Sequence, residues 1–181
     1  GFFCLIPFPN KENMLPVFIT NNHIINKDLL YKANKEILIK IKNDKNEKIF
    51  DLKGNRLKYT NKDYDITIIE ILEKDEINDF LELDERILKD ILNNENENEE
   101  YKDETIYIIQ YPEGKLSVSY GILQNIISGT NKKNEAFAFH HKCNTRKGSS
   151  GSPILNLNNK VIGIHKEAYS NKYNKGTFLN F

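Results

Sequence analysis

Residues Lys147-Gly148-Ser149-Ser150-Gly151-Ser152-Pro153 place two glycines and three serines in seven positions closed by a proline. Apolar runs flank them, with Ala136-Phe137-Ala138-Phe139 before and Ile154-Leu155, then Val161-Ile162-Gly163-Ile164, after. Glycine and proline at this density impose an unusual backbone path. A surface linker does not usually sit between strands this apolar. A serine in such a turn can aim its hydroxyl outward while nearby backbone N–H groups converge on one point, which is what acyl transfer requires. The competing reading is a hairpin or loop made of ordinary turn residues, and the stretch alone does not separate the two.

Outward from this turn the chain reads as short strands. Alternating or continuous apolar runs predict strands over 14–20, 36–42, 49–52, 57–59, 64–72, 105–111, 116–123, 135–139, 153–157, 160–164 and 177–180, with turns at 43–47, 54–55 and 158–159. Ile87, Leu88, Ile91 and Leu92 have helical spacing and predict one short amphipathic helix, followed by a mobile stretch over 93–100. Many short strands with one helix predict an all-β barrel or sandwich. The acidic segment that divides the strands suggests two small β units, 1–72 and 105–181, joined by a connector over 73–104.

Charge follows the same division. Residues 1–72 carry 12 Lys/Arg and 9 Asp/Glu, residues 73–104 carry 4 and 14, and residues 105–181 carry 10 and 3. The net charges, +3, −10 and +7, predict a solvated acidic connector and a basic last portion suited to an acidic ligand. No zinc-finger spacing or aromatic-basic signature points to nucleic acid. No apolar run approaches the roughly 18 to 20 residues that span a bilayer, so no membrane partner is expected. Cys4 and Cys143 supply neither a disulfide framework nor a metal pattern and read as buried thiols. No cofactor or metal is expected. The chain opens on Gly1 rather than Met and shows no signal peptide, which predicts a native start further upstream. The lack of a disulfide framework favours an intracellular setting.

Three residue types then fall into order: His23 after a strand, Asp65 where a polar loop becomes a strand, and Ser150 in the glycine turn. A serine hydroxyl needs a general base to attack a carbonyl, and imidazole is the side chain whose ordinary pKa suits that role near neutrality. A carboxylate fixes the imidazole tautomer and stabilises the imidazolium that forms.

Ile19-Thr20-Asn21-Asn22-His23, Tyr64-Asp65-Ile66-Thr67-Ile68 and Gly148-Ser149-Ser150-Gly151-Ser152-Pro153 resemble the three signature segments of chymotrypsin-like serine peptidases, in the family's order. The resemblance implies two antiparallel β-barrels with the active site in the cleft between them. His23 and Asp65 would come from the first barrel and Ser150 from the second, with the backbone N–H groups of Gly148 and Ser150 as the oxyanion hole. It implies a serine endopeptidase that hydrolyses polypeptides through an acyl-enzyme. Ser149 stands where the animal digestive members carry an aspartate that pairs with a newly cleaved N-terminus, a departure from their activation route.

Asn144 stands where trypsin-like members carry an acid, which argues against an Arg/Lys preference. Thr145, five before Ser150, and His165, fifteen after it, resemble the pairing that glutamyl endopeptidases and viral 3C-type proteases use to grip Glu or Gln. The segment Asn174-Lys175-Gly176-Thr177-Phe178-Leu179-Asn180 is also similar to the glutamyl endopeptidases. A hydroxyl and an imidazole can both donate to a carboxylate or amide oxygen. Lys142, Arg146, Lys147 and Lys166 lie nearby in sequence and favour Glu over Gln at P1. His140 and His141 read as strand-end polar residues without a role. Cys143 lacks the glycine turn of a nucleophile. The order of residues does not suit a Gly-x-Ser-x-Gly hydrolase elbow. The other class of reading is a pseudoprotease that keeps the fold as a protein- or peptide-binding module.

Overall fold

The computed structural model describes residues 1–31, 36–40, 47–52, 55–88, 100–127, 137–170 and 172–179. The N-terminal half is built on β1 (Phe2–Pro7) and β2 (Met14–Thr20), then, after the helical turn α1 (Lys27–Tyr31) and the hairpin of β3 (Glu36–Lys40) and β4 (Glu47–Asp51), on β5 (Lys58–Asn61) and β6 (Ile66–Glu70). With β7 (Leu81–Glu82) they form a five-stranded sheet in the order β5-β6-β2-β1-β7. Every pairing in it is antiparallel except β1 with β7.

Both faces of this sheet are buried, and the period of two along a strand divides its side chains between two cores. Phe2, Cys4, Val17, Ile19, Ile66 and Ile68 face one cluster, which also takes Leu155, Val161, Ile164 and Leu179 from the C-terminal half. Phe18, Ile69 and Ile71 face the other, against Phe50 of β4 and Leu30 of α1. On that side Arg56 is fully buried and clasps Asp75 through both carboxylate oxygens, at 2.6 and 2.9 Å, while also donating to the carbonyls of Asp51 and Glu70.

The C-terminal half contributes β8 (Thr105–Gln110), β9 (Ser117–Ile127), β10 (Ala138–His141), β11 (Pro153–Asn156), β12 (Val161–Ala168) and β13 (Asn174–Phe178). These close into a barrel in the order β10-β13-β12-β11-β8-β9. Ile106, Ile108, Leu123, Phe139, Ile154, Ile162 and Phe178 fill its interior. The chain is thus all-β, as the strand pattern predicts. The C-terminal unit is a closed barrel; the N-terminal unit, among the described residues, is an open sheet capped by a separate hairpin.

The acidic segment differs from a solvated connector where it is described. β7 extends the first sheet, Leu83 forms a bridge with Val161 of the barrel, and the Asp84 N–H donates to the Val161 carbonyl at 2.9 Å. Arg86 offsets the local charge by gripping both Asp84 and Glu104. In place of the start of the expected helix stands a 3-10 turn, Glu85–Leu88. The rest of that helix, the stretch 93–99 and most of the turn expected at 43–47 lie outside the described residues.

Candidate active site

The loop between β5 and β6 carries Asp65 in the left-handed region, with φ of +54°. Few L-residues adopt that conformation, and aspartate is among the tolerant ones. Two contacts hold it there: its N–H donates to the Lys62 carbonyl at 3.2 Å, and the buried Asn21 side chain donates to its carbonyl at 3.0 Å. Thr177 of the barrel donates to the Tyr64 carbonyl at 3.1 Å, so the loop is also tied to the other half of the molecule.

Held this way, the Asp65 carboxylate takes two bonds from one residue. Its Oδ1 accepts the His23 backbone N–H at 2.9 Å, and its Oδ2 lies 2.8 Å from His23 Nδ1. Asp65 is buried while the His23 side chain is 48% exposed, so the ring is anchored at its Nδ1 edge and open to the cleft elsewhere.

Across the cleft the serine turn is braced from several sides. Gly148 and Gly151 have φ of +98° and +80°, conformations that any residue with a Cβ would adopt under strain. A Cβ at Gly151 would also lie 2.9 Å from Thr20 Oγ1 at the end of β2. Ser149 is fully buried, and its Oγ accepts the Arg146 N–H at 3.1 Å. The Gly151 N–H donates to the His165 carbonyl at 3.0 Å, and the His165 N–H returns to the Ser152 carbonyl at 2.9 Å. That pair extends the β11–β12 ladder into the turn and fixes it against His165.

Peptide planes dictate where the turn's donors point. The Lys147 carbonyl accepts from Glu113 N at 3.4 Å and the Ser149 carbonyl from Ser152 N at 3.2 Å. In a trans peptide the following N–H points the opposite way, so the Gly148 and Ser150 N–H groups are turned away from those partners. Neither has a hydrogen-bond acceptor among the described residues. The Ser150 hydroxyl donates to the Lys166 carbonyl at 3.3 Å and makes no bond to His23.

His23, Asp65, Thr145, Gly148, Ser150 and His165, the residues singled out in the sequence, all line one cleft of about 590 Å³. Lys62, Arg146, Lys147 and Lys166 line it too, against Asp65 and Glu167, which leaves its walls net positive. The structure brings Lys62 into this set from the far side of the chain and leaves Lys142 out of it.

One expectation about Thr145 is corrected. Its hydroxyl donates to Asn174 Oδ1 at 2.9 Å, while Asn174 Nδ2 donates to the Cys143 carbonyl at 2.7 Å and so fixes which end of that amide faces Thr145. The Thr145 proton is already committed, and the hydroxyl offers the cleft a lone pair instead of a donor. His165 is almost wholly buried, and its Nδ1 lies 3.2 Å from Nε2 of the fully buried His141. Burial lowers the His165 pKa to about 4, helped by nearby His23, and lowers that of His141 to about 3, helped by His165 and His140. Burial pushes both Cys4 and Cys143 up to about 12, which keeps the thiols protonated and unreactive.

Reading by residue type passes over Asn21, His141 and Asn174, which touch Asp65, His165 and Thr145 from behind. Asn21 lies inside the His23 signature, where its position two residues before the histidine could have flagged it. Asn174 opens the segment that resembles the glutamyl endopeptidases, though nothing local ties it to Thr145, and no local pattern marks His141.

The chain matches the trypsin-like peptidase domain family over residues 9–164 and belongs to that family. A 33-residue stretch is 52% identical to a glutamyl endopeptidase of Staphylococcus epidermidis; it covers 18% of this chain and 12% of that protein's length. Among solved structures, the Rv3671c protease in its inactive form superposes with a TM-score of 0.60 at 15% identity, over 90% of this chain and 73% of the other. The HtrA-type protease AlgW with a decapeptide superposes with a TM-score of 0.60 at 12% identity, over 90% of this chain and 45% of the other. At these identities the two structures share the fold.

Proposed function

We propose that the protein is a serine endopeptidase with Ser150 as nucleophile, His23 as general base and Asp65 as the carboxylate that orients it. The observation that carries this reading is the His23–Asp65 contact of 2.8 Å, facing the same cleft as a serine whose turn leaves two N–H groups unpaired. Asp65 accepts the proton of Nδ1, so the ring presents Nε2 to the cleft as an acceptor. For the reaction the Ser150 hydroxyl leaves the Lys166 carbonyl, a weak partner at 3.3 Å, and passes its proton to His23. Ser150 Oγ attacks the scissile carbonyl as that proton moves to Nε2. The Gly148 and Ser150 N–H groups receive the resulting oxyanion. His23 returns the proton to the leaving amine, and water, activated by the same ring, hydrolyses the acyl-enzyme.

The same cleft favours Glu at P1. Lys62, Arg146, Lys147 and Lys166 supply the positive potential for a carboxylate, and His165 supplies an imidazole at the cleft wall. The short match to a glutamyl endopeptidase supports this choice. One observation favours Gln instead: Thr145 offers a lone pair, which suits an amide N–H better than a carboxylate. A P1 cleavage profile with wild type and Ser150→Ala side by side separates these readings. Cleavage after Glu that exceeds cleavage after Gln, and disappears in Ser150→Ala, is the expected outcome. Cleavage chiefly after Arg, Lys or aromatic residues would refute the P1 assignment, and no cleavage by wild type would favour a binding module.

A further inference from the structure

His141 touches no substrate-facing space, yet its contact with His165 decides what the cleft offers. Its ring is fully buried, stands nearly edge-on to His165 at an interplanar angle of 77°, and places Nε2 3.2 Å from His165 Nδ1. One proton lies between those nitrogens, since two N–H groups cannot point at each other at that distance. The question is which ring owns it.

The answer comes from the far side of His141. Its Nδ1 is buried and has no hydrogen-bond partner among the described residues. If His165 donated, His141 would carry its own proton on Nδ1 and bury an orphaned N–H. If His141 donates through Nε2, the orphan at Nδ1 is a bare lone pair. Unpaired buried N–H groups are rarer than under-satisfied acceptors, and leaving a buried donor unsatisfied carries its full desolvation penalty. The second arrangement is favoured, and it leaves His165 Nδ1 as acceptor with the His165 proton on Nε2. Nε2 is the ring nitrogen left for the cleft that His165 lines.

We infer that His141 is a positioning residue for specificity: it sets the tautomer of His165 and so makes His165 Nε2–H a fixed, uncharged donor to the oxygen of a P1 side chain. This rests on the reading of the cleft as the P1 site, and it deepens that reading by assigning donor and acceptor. His165 gives a proton to the oxygen that a carboxylate and an amide share, Thr145 takes one only from an amide N–H, and an oxygen-bearing P1 side chain is selected over an apolar one in either case.

The test compares wild type, His141→Phe and His141→Gln on matched peptides with Glu, Gln or Leu at P1. Phenylalanine keeps the ring volume without the donor, while the glutamine amide can still donate to His165 Nδ1. His141→Phe is expected to lose about tenfold in the preference for Glu and Gln over Leu, mainly through KM, and His141→Gln to keep most of it. Equal losses on all three peptides, or an unchanged preference in His141→Phe, would overturn the inference while leaving the P1 reading intact. A wild-type enzyme with no preference for oxygen-bearing P1 residues would overturn both. Nitrogen-15 NMR of the histidine rings in the wild-type protein tests the tautomer without any variant: the His165 proton is expected on Nε2, and a proton on Nδ1 would refute the assignment.

Discussion

Ser149 and Arg146 are joined by a reciprocal pair of hydrogen bonds: the Arg146 N–H donates to Ser149 Oγ at 3.1 Å, and the Ser149 N–H donates to the Arg146 carbonyl at 3.0 Å. The pair closes the backbone immediately before Ser150 and orients the peptide planes that free the Gly148 and Ser150 N–H groups. Where related digestive enzymes carry an aspartate, this chain thus braces the turn from within. Ser149→Ala takes the acceptor from the part-buried Arg146 N–H, at about 1 kcal/mol. The expected result is a kcat/KM lower by roughly tenfold with a smaller change in KM; wild-type kcat in Ser149→Ala would show that the brace is dispensable.

Asp65→Asn tests the histidine tautomer. Because the His23 backbone N–H donates to Oδ1, an asparagine would keep its carbonyl there and turn its NH2 toward Nδ1. Nδ1 then becomes an acceptor and the ring proton moves to Nε2, where it blocks proton uptake from Ser150. Steady-state kinetics should show kcat reduced by about 10⁴ with folding unchanged, the loss this exchange causes in one well-studied Ser-His-Asp triad. A reduction under tenfold would remove Asp65 from the mechanism.

Acid should destabilise the barrel early. His141 and His165 titrate near 3 and 4 when folded and near 6.5 when unfolded, so between those values the unfolded chain binds more protons. Their contribution is therefore present above about pH 6.5 and is lost as pH falls toward 4, on the order of 3 kcal/mol per ring. Urea titrations from pH 7 to 4.5 should show a steady loss of stability that His141→Phe reduces. A flat profile over that range would contradict the neutral pair.

A second acid-sensitive contact lies in the other half. Burial raises the Asp75 pKa, but its hydrogen bonds from Arg56 and the Leu72 N–H, with the charges of Arg56 and Lys74, outweigh that and hold it below the ordinary carboxylate value. This stabilisation is present above about pH 4 and is lost below it, separate from the histidine transition. Arg56 has no exposed surface, so Asp75→Ala buries an unpaired charge at about 3–5 kcal/mol. Denaturant unfolding at pH 7 checks this, and a loss under about 1 kcal/mol would show that water reaches Arg56.

How much of this is legible in the sequence depends on distance along the chain. Val17 to Thr20, Ile66 to Ile69 and the glycine-serine turn are local patterns, and each stands where the strand and turn rules put it. β1 gives no such signal: Phe2, Cys4 and Ile6 face one core while Phe3 faces another, so burial on both sides erases the polar alternation. β7 is two residues in an acidic run, held by partners in both halves. The chemistry divides the same way. His23, Asp65 and Ser150 are readable from the segments around them, whereas the His141–His165 contact spans 24 residues and the Thr145–Asn174 bond 29. Which atom of Thr145 faces the cleft depends on a third residue, Asn174, and no spacing encodes that.

The central claim is that Ser150, activated by His23 and Asp65, forms the acyl-enzyme. Incubation of the wild-type protein with an organophosphonate, followed by intact mass and peptide mapping, tests it most directly. One covalent adduct on Ser150, absent in Ser150→Ala and strongly slowed in His23→Ala, is the predicted result. A wild-type protein that takes no label, or a Ser150→Ala variant that is labelled as fast as wild type, would contradict it.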